Sequence, residues 1–251
     1  MAEGRLVYGF HAVTARVKQR PESVREIYLD VARHDPRARI LTELAHARGI
    51  RVQHLTGERL DRMLRGVRHQ GVACSVAVEE RTPDLEQLLE RSDTPPLLLA
   101  LDGVQDPHNL GACLRSADAM GVHAVIAPKD RAVGITAVAE KVACGAAETV
   151  PYLMVTNLAR TLDLLRDRGI WIVGLDGEAD AVLASVALTG ATILVLGAEG
   201  GGLRRLTRER CDVLARIPML GTVESLNVSV AAGICLYEAQ RQRGRPEPQK
   251  A

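Results

Sequence analysis

The sequence predicts an α/β fold in two parts, the larger of which is built on a parallel sheet. From Pro96 onward, apolar segments of strand length alternate with helical patterns, which is typical of a parallel sheet covered by helices on both faces. Residues 1–78 contain a shorter alternation of their own, and the charged, proline-bounded residues 79–95 are a predicted linker. Residues 96–243 then form the predicted second domain, and residues 244–251 a predicted tail.

The first domain is predicted to be a small α/β unit. Its strand segments alternate or run apolar, its first helix begins with Pro and ends with Gly, and Thr56 stands at the N-cap of the next helix. The predicted strands are Arg25–Val31, Ile50–Leu55 and His69–Glu79, and the predicted helices are Pro36–Gly49 and Thr56–Arg65.

The second domain contains six continuously apolar predicted strands, as expected for strands buried on both faces. They span residues 96–104, 123–128, 151–155, 170–176, 191–199 and 213–219. Helices are predicted at 109–121, 136–148, 157–169 and 203–212, and a last helix follows Ser225, its predicted N-cap. Val230, Ile234 and Tyr237 recur at helical spacing in this last helix and are predicted to face the core.

The charge of the chain is unevenly distributed. Residues 1–78 hold 14 Lys and Arg against 8 Asp and Glu, whereas the remaining residues hold 18 against 23. A basic module predicts contact with a polyanion, RNA or DNA, although an ordinary Arg-rich surface would give the same count. Only 2% of the residues are aromatic, which argues against base-stacking modules of the RRM or OB type.

The cysteines and the apolar segments restrict the class of protein further. The five cysteines are scattered and include no C-x-x-C pair, which favours a reduced cytoplasm and argues against a zinc site or a disulfide framework. No apolar run reaches the roughly 18 residues that a membrane-spanning helix needs.

Three polar or glycine-rich clusters follow predicted strands, where parallel sheets bind their ligands. The first is "DGVQDPHNLGACLRSADAMG" (Asp102–Gly121), in which Asn109 is a predicted N-cap and Arg115 is either a solvated surface residue or a phosphate-binding fork. The second is "LVLGAEGGGLRR" (Leu194–Arg205), which lacks both the P-loop and the G-x-G-x-x-G patterns. Its Glu199 does not favour a nucleotide phosphate, so either a less anionic ligand or a plain tight turn accounts for the glycines.

The third cluster is Glu224-Ser225-Leu226-Asn227 with Ser229, at the start of the last helix. Ser225 as N-cap accounts for one of these polar side chains. Asn is a poor helix former in the first turn unless its amide is used. The remaining polar groups therefore predict a function other than capping.

Taken together, "NLGACLRSADAMG", "LVLGAEGGGL" and "IPMLGTVESLNVSVAAGICLYE" resemble the three signature motifs of the SpoU (TrmH-type) branch of the SPOUT methyltransferases. The resemblance covers residues 96 to about 243. The first 78 residues, with "YGFHAV" and "HQGVAC", resemble the L30e-like substrate-binding domain of family members that methylate a guanosine 2′-OH in the peptidyl-transferase region of bacterial 23S rRNA.

The resemblance implies a deep C-terminal trefoil knot, a homodimer built on the knot, and S-adenosylmethionine (SAM) as methyl donor, with no metal. It carries Gly197, Ile217 and Leu226 over as SAM contacts, and Asn109, Arg115, Glu199, Ser225 and Asn227 as catalytic positions. The implied partner is 23S rRNA or an assembly intermediate of it in the cytoplasm, with neither DNA nor a membrane involved.

The implied reaction is an in-line methyl transfer to a ribose 2′-OH, with Arg115 on the phosphate and ribose of the target nucleotide. Asn109 and Glu199 are expected to orient Arg115, and Ser225 and Asn227 to fix the loop and the ribose. In the dimer, Arg115 and SAM are expected to belong to different subunits. The residues expected to contact RNA phosphates in the first domain are Arg16, Lys18, Arg20, Arg62, Arg65 and Arg68.

Three alternatives remain at this stage. A tRNA 2′-O-methyltransferase has the same catalytic motifs, although members of that group usually lack the L30e-like domain. A non-catalytic RNA-binding or assembly protein could retain the fold, but the intact motif residues argue against it. An NAD-dependent dehydrogenase is disfavoured by the missing G-x-G-x-x-G.

Overall fold

A computed structural model describes residues 5–65, 67, 69–77, 85–90, 92, 94–198 and 200–244. The chain divides into two compact units. The first comprises residues 1–82 together with residues 144–149, and the second comprises residues 83–143 and 150–251. No helix within the described ranges is long and apolar enough to cross a membrane.

The first unit contains a four-stranded sheet in the order β1-β4-β2-β3, in which β2 and β3 are parallel and β4 is antiparallel to both β1 and β2. Its strands are β1 (Arg5–Tyr8), β2 (Val24–Asp30), β3 (Arg51–Leu55) and β4 (Val72–Val76), and its helices are α1 (Phe10–Gln19), α2 (Pro36–Ala47), α3 (Gly57–Met63) and α7 (Ala146–Thr149). The Asp35 carboxylate accepts from the amides of Arg37 and Ala38 and so caps α2. Strand β1 and helix α1 were not predicted.

Helix α7 comes from far along the chain and is bound to the first unit by ion pairs. Glu148 Oε2 lies 2.8 Å from Arg16 Nη1, and its Oε1 lies 2.9 Å from Arg5 Nη2. Arg16 and Glu148 are each only 6% exposed. Arg16 also donates to Ser23 Oγ at 2.6 Å. The prediction that Arg16 contacts RNA is therefore wrong, because its guanidinium is buried against a carboxylate.

The second unit contains a seven-stranded, all-parallel sheet in the order β7-β6-β5-β10-β8-β11-β9. Its strands are β5 (Leu97–Asp102), β6 (Ala124–Pro128), β7 (Tyr152–Val155), β8 (Trp171–Leu175), β9 (Ala181–Val182), β10 (Thr192–Gly197) and β11 (Val213–Arg216). Its helices are α4 (Leu85–Glu90), α5 (Pro107–Ala119), α6 (Ala137–Ala143), α8 (Leu158–Asp167), α9 (Arg205–Glu209) and α10 (Val228–Arg243). The predicted fold class, a parallel sheet with helices beside a smaller α/β unit, is confirmed. The trefoil knot stays a prediction.

The sequence of the predicted linker contains one short helical pattern, at residues 84–91, and the structure contains a helix there. Residues 85–90 form α4, and its leucines, Leu85, Leu88 and Leu89, pack against the core of the second unit. The residues of the linker at 79–84, 91 and 93 lie outside the described residues. Apolar spacing within a charged segment was thus sufficient to bury one face of a short helix in part.

The structure also corrects several helix boundaries. Asp106 caps α5 by accepting from the amide of His108, so Asn109 lies inside the helix instead of at its N-cap. The predicted helix 136–148 is broken at Cys144 and Gly145, whose φ angles are 52° and 100°. Asn157 caps α8 as predicted, through a 3.0 Å bond from the amide of Arg160.

Helix α10 presents a different face to the core from the predicted one. Its buried residues are Val228, Ala232, Cys235, Leu236 and Ala239. Val230, Ile234 and Tyr237 are exposed by 50%, 40% and 61%, so the prediction that they face the core is wrong. Gly233 lies beside α5, where a Cβ would make an ordinary contact of 3.7 Å with Ser116 Oγ.

Candidate active site

The candidate active site lies at the carboxyl edge of the parallel sheet in the second unit. Strands β5 and β10 are paired in parallel, and Gly197 at the end of β10 is the partner of Asp102 at the end of β5. The loops that follow β5, β10 and β11 all leave this edge. The first motif lies on α5, just after the first of these loops, and the second and third motifs include the other two loops. Parallel sheets bind their ligands at such an edge.

The loop after β10 folds back on itself so tightly that Gly197 is required. Ala198 and Gly202 exchange two backbone hydrogen bonds, of 3.2 Å and 3.0 Å. A Cβ at Gly197 would lie 2.0 Å from the carbonyl carbon of Gly202. By contrast, a Cβ at Gly201 would meet nothing within 4 Å. The turn therefore brings backbone, rather than side chains, to the edge of the sheet. Glu199, a predicted catalytic residue in this turn, lies outside the described residues.

A buried carboxylate fixes the far end of this loop. Asp102 is 1% exposed, and its Oδ2 accepts from the amide of Arg204 at 2.9 Å. The Arg204 guanidinium lies 3.5 Å from Asp102 Oδ1 and donates to the carbonyl of Asp130. Neither Asp102 nor Arg204 was a predicted site residue. The only signal in the sequence is a carboxylate directly after an apolar strand.

Asn109 and Asn227 connect the first motif to the third. Asn227 Nδ2 donates to Asn109 Oδ1 at 2.9 Å, across 118 positions of sequence. Asn109 is 8% exposed. Asn227 also caps α10, because its Oδ1 accepts from the amide of Ser229 at 2.9 Å and from the Ser229 hydroxyl at 2.6 Å. The prediction that Ser225 is the N-cap is therefore wrong. Because the Ser229 hydroxyl donates to the capping oxygen of Asn227, helix capping also accounts for the polar side chain of Ser229.

Arg115 and Ser225 are exposed, and neither forms a hydrogen bond or ion pair with another described residue. Arg115 projects from α5 with its guanidinium unpaired by any described side chain. An Arg in this state keeps all five N–H groups for a phosphate or carboxylate partner. Cys113 on the same helix is inert by comparison, since burial raises the pKa of its thiol to about 12.

The loop between β11 and α10 is suited to a ligand held by backbone. Strand β11 ends at Arg216, so Ile217 begins the loop instead of lying in a strand. Ile217 and Leu226 are half-buried. Within the described chain, no backbone hydrogen bond uses the amides or carbonyls of residues 217–226. The backbone groups of this loop and the open space around Gly201 and Gly221 are thus available to a ligand.

Two family models cover most of the chain. The SpoU rRNA Methylase family matches residues 96–237, and the family described as RNA 2′-O ribose methyltransferase substrate binding matches residues 6–81. The chain is 55% identical, over 97% of its length and 99% of the relative's, to the 23S rRNA (guanosine-2′-O-)-methyltransferase RlmB of Bordetella pertussis. It is 56% identical to the RlmB of Pseudomonas aeruginosa, over 97% of this chain and 98% of that one.

Solved structures agree with these matches in fold. The SpoU methyltransferase AviRb from Streptomyces viridochromogenes, in complex with the cofactor AdoMet, superposes with a TM-score of 0.78 at 27% identity, and covers 96% of this chain and 91% of its own. The three motifs at one sheet edge, both family models and these relatives lead to one conclusion: the chain belongs to the SpoU rRNA methylase family.

Proposed function

We propose that this protein transfers a methyl group from SAM to the ribose 2′-OH of a specific guanosine in 23S rRNA, in the peptidyl-transferase region. The observation that carries the proposal is the Asn109–Asn227 hydrogen bond of 2.9 Å, which holds the first and third motifs together. Relatives that act on 23S rRNA guanosine match this chain along almost its whole length. The first unit corresponds to their substrate-binding module.

When bound, SAM supplies an electrophilic methyl group on a sulfonium sulfur. The chain's own residues then have three tasks. Gly197, Ile217 and Leu226 hold the cofactor through backbone groups, and the tight turn at Gly197 keeps those groups in place. Asn109 and Asn227 keep the loop and α5 in fixed register, so that the hydroxyl and the methyl donor can meet in line. Arg115 binds the phosphate and ribose of the target nucleotide.

Arg115 acts through its charge. A guanidinium with a pKa above about 12 does not serve as a base near neutral pH. Its positive charge beside the ribose lowers the pKa of the 2′-OH, which makes the oxygen a better nucleophile. Glu199 orients the guanidinium, and Ser225 fixes the loop that faces the ribose.

The proposal includes a homodimer that completes the active site in the cytoplasm. Val230, Ile234 and Tyr237 form an exposed apolar stripe along α10, and Leu220 and Val223 of the preceding loop are 99% and 61% exposed. Apolar surface of this extent on one element marks an interaction site. Arg115, which has no described partner in its own chain, then faces SAM held by the other subunit.

Arg115→Lys tests the catalytic assignment. Lysine keeps the charge but lacks the planar fork, so we expect turnover on 23S rRNA to fall by about 100-fold or more. SAM affinity should be largely unchanged. Turnover is measured by methyl transfer from radiolabelled SAM to unmodified 23S rRNA, and SAM binding by calorimetry.

Arg160→Lys is the matched control, because Arg160 is exposed on α8 outside the three motifs. Near-normal turnover in Arg115→Lys would reject the role of Arg115. Transfer to tRNA but not to 23S rRNA would reject the proposed substrate. SAM binding without transfer to either RNA would indicate a non-catalytic protein.

A further inference from the structure

The tight turn that precedes β4 in the first unit holds a glutamine in a strained conformation. His69 to Val72 form a β-turn closed by a 3.1 Å bond from the amide of Val72 to the carbonyl of His69. Its two central residues, Gln70 and Gly71, have φ angles of 57° and 80°. Two consecutive positive φ angles are typical of a type I′ turn, for which Asn-Gly is the preferred sequence. Gln at the first central position therefore costs conformational energy.

The residues on either side of Gln70 are held in place by hydrogen bonds. The amide of Gly71 donates to His69 Nδ1 at 3.0 Å, so the ring proton is on Nε2, which donates to Asp61 Oδ1 at 2.9 Å. On the other side, the carbonyl of Gly71 accepts from the amide of Asp30 at 2.9 Å. A Cβ at Gly71 would lie 3.0 Å from Arg33 Nε. A strained residue persists only where neighbours over-determine it, and such residues concentrate at functional sites.

The side chain of Gln70 itself takes no part in holding the turn. His69 beneath it is buried, whereas Gln70 is exposed and forms no hydrogen bond with the described part of the chain. Stability alone would favour Asn or Gly here. The folded structure therefore does not account for the long carboxamide side chain of Gln70.

We propose that Gln70 is a specificity-determining residue that forms hydrogen bonds to the edge of an exposed base in the RNA substrate. A carboxamide offers one acceptor and two donors, and it bonds a base edge bidentately, as Gln does with the N6 and N7 of adenine. Proteins contact the base edges of RNA mainly in single-stranded loops. The excess of Lys and Arg in residues 1–78 supplies the attraction to phosphate that brings such a loop to this surface. The inference rests on the proposed function, because it takes RNA as the substrate.

Gln70→Gly should remove both the backbone strain of the turn and the proposed contact with the base. We expect the unfolding temperature of the full-length protein to rise, because glycine adopts positive φ without strain. The Kd for unmodified 23S rRNA should rise about 5- to 100-fold, the effect of losing one bidentate base contact. The turnover at saturating RNA should stay close to that of the unmodified protein. The dependence of Kd on salt should be unchanged, whereas Arg65→Gln, at an exposed cation of the same loop, should reduce the salt slope by about 1.

Gln70→Glu keeps the strain and the shape but removes the donors, so it should weaken RNA binding without raising the unfolding temperature. Gln19→Glu makes the same charge change at an exposed residue on α1 and should weaken binding much less. The inference is overturned if Gln70→Gly binds RNA as tightly as the unmodified protein, or if its unfolding temperature falls. Failure of the unmodified protein to methylate 23S rRNA would reject the proposed function instead.

Discussion

At the scale of single residues, the candidate site depends both on side chains that form contacts and on glycines where a side chain would clash. Gly197 is the sharpest case, because the backbone of Gly202 occupies the space in which its side chain would lie. The hydrogen bond from the amide of Arg204 to the Asp102 carboxylate then fixes the position of the end of the loop. Backbone groups that are fixed in this way can bind a ligand without losing conformational entropy on binding.

Gly197→Ala should weaken SAM binding more than an alanine substitution at any other glycine of this loop. The new Cβ would lie 2.0 Å from the Gly202 carbonyl carbon, so the turn has to open. We expect the Kd for SAM, measured by calorimetry, to rise at least tenfold, with a lower unfolding temperature. Gly201→Ala is the control, since its Cβ meets nothing within 4 Å. Equal affinities in the two variants would show that the turn does not form the cofactor site.

At the scale of elements, the last helix shows what periodicity can and cannot determine. The spacing of Val230, Ile234 and Tyr237 placed these residues correctly on one face. It could not determine which face is inside, because a second face of small and apolar residues, Ala232, Cys235, Leu236 and Ala239, runs beside it. The structure buries the second face and leaves the larger side chains of the first face exposed.

Two other boundaries were missed for different reasons. Asp106 and Asn109 are both good capping residues, and Pro107 at the first helical position favours Asp106. The break between α6 and α7 occurs at Gly145, where a Cβ would lie 3.2 Å from the His11 carbonyl oxygen. This close approach depends on a contact 134 positions away in sequence. The strands of the parallel sheet were easier to predict, because burial on both faces makes them continuously apolar.

Replacing the apolar stripe of α10 with charge tests the homodimer. Ile234→Glu together with Tyr237→Glu should shift the protein to a monomer in sedimentation equilibrium, because a dimer interface would have to bury both charges. The helix itself should remain folded, since the residues buried in its own chain are unchanged. Leu164→Glu, at an exposed apolar residue of α8, is the control. A dimer that survives the double substitution would require a different interface.

At the scale of the whole molecule, the excess of basic over acidic residues lies in the first 78 residues, whereas the three signature motifs lie in the second unit. The charge asymmetry predicted only a polyanion partner for the first unit. The expectation of methyl transfer in the second came from the resemblance of its three motifs to the SpoU family. The ion pairs of Glu148 were not predictable, because Glu148 lies 143 positions from Arg5 and 132 positions from Arg16. An Arg count cannot distinguish a buried guanidinium from one that is available to RNA.

Glu148→Gln should destabilise the first unit strongly, because Arg16 would remain buried without its counter-charge. Breaking a buried pair costs about 3–5 kcal/mol. The expected result is a lower urea concentration at the midpoint of unfolding. Unfolding is monitored by circular dichroism, which reports the loss of helices and strands. Glu209→Gln, which breaks the exposed pair with Arg205, should cost less than about 1 kcal/mol. Equal effects would show that the buried pair contributes nothing beyond a surface contact.

The position of Glu148 in the chain also affects the timing of folding during translation. Domains usually fold in the order of their synthesis, at about 5–20 residues added per second. The first unit cannot neutralise Arg16 until residues 144–149 have been made. That is roughly 70 residues after β4, or about 4–14 s of further synthesis. The first unit therefore reaches its final structure only when more than half of the whole chain has been synthesised.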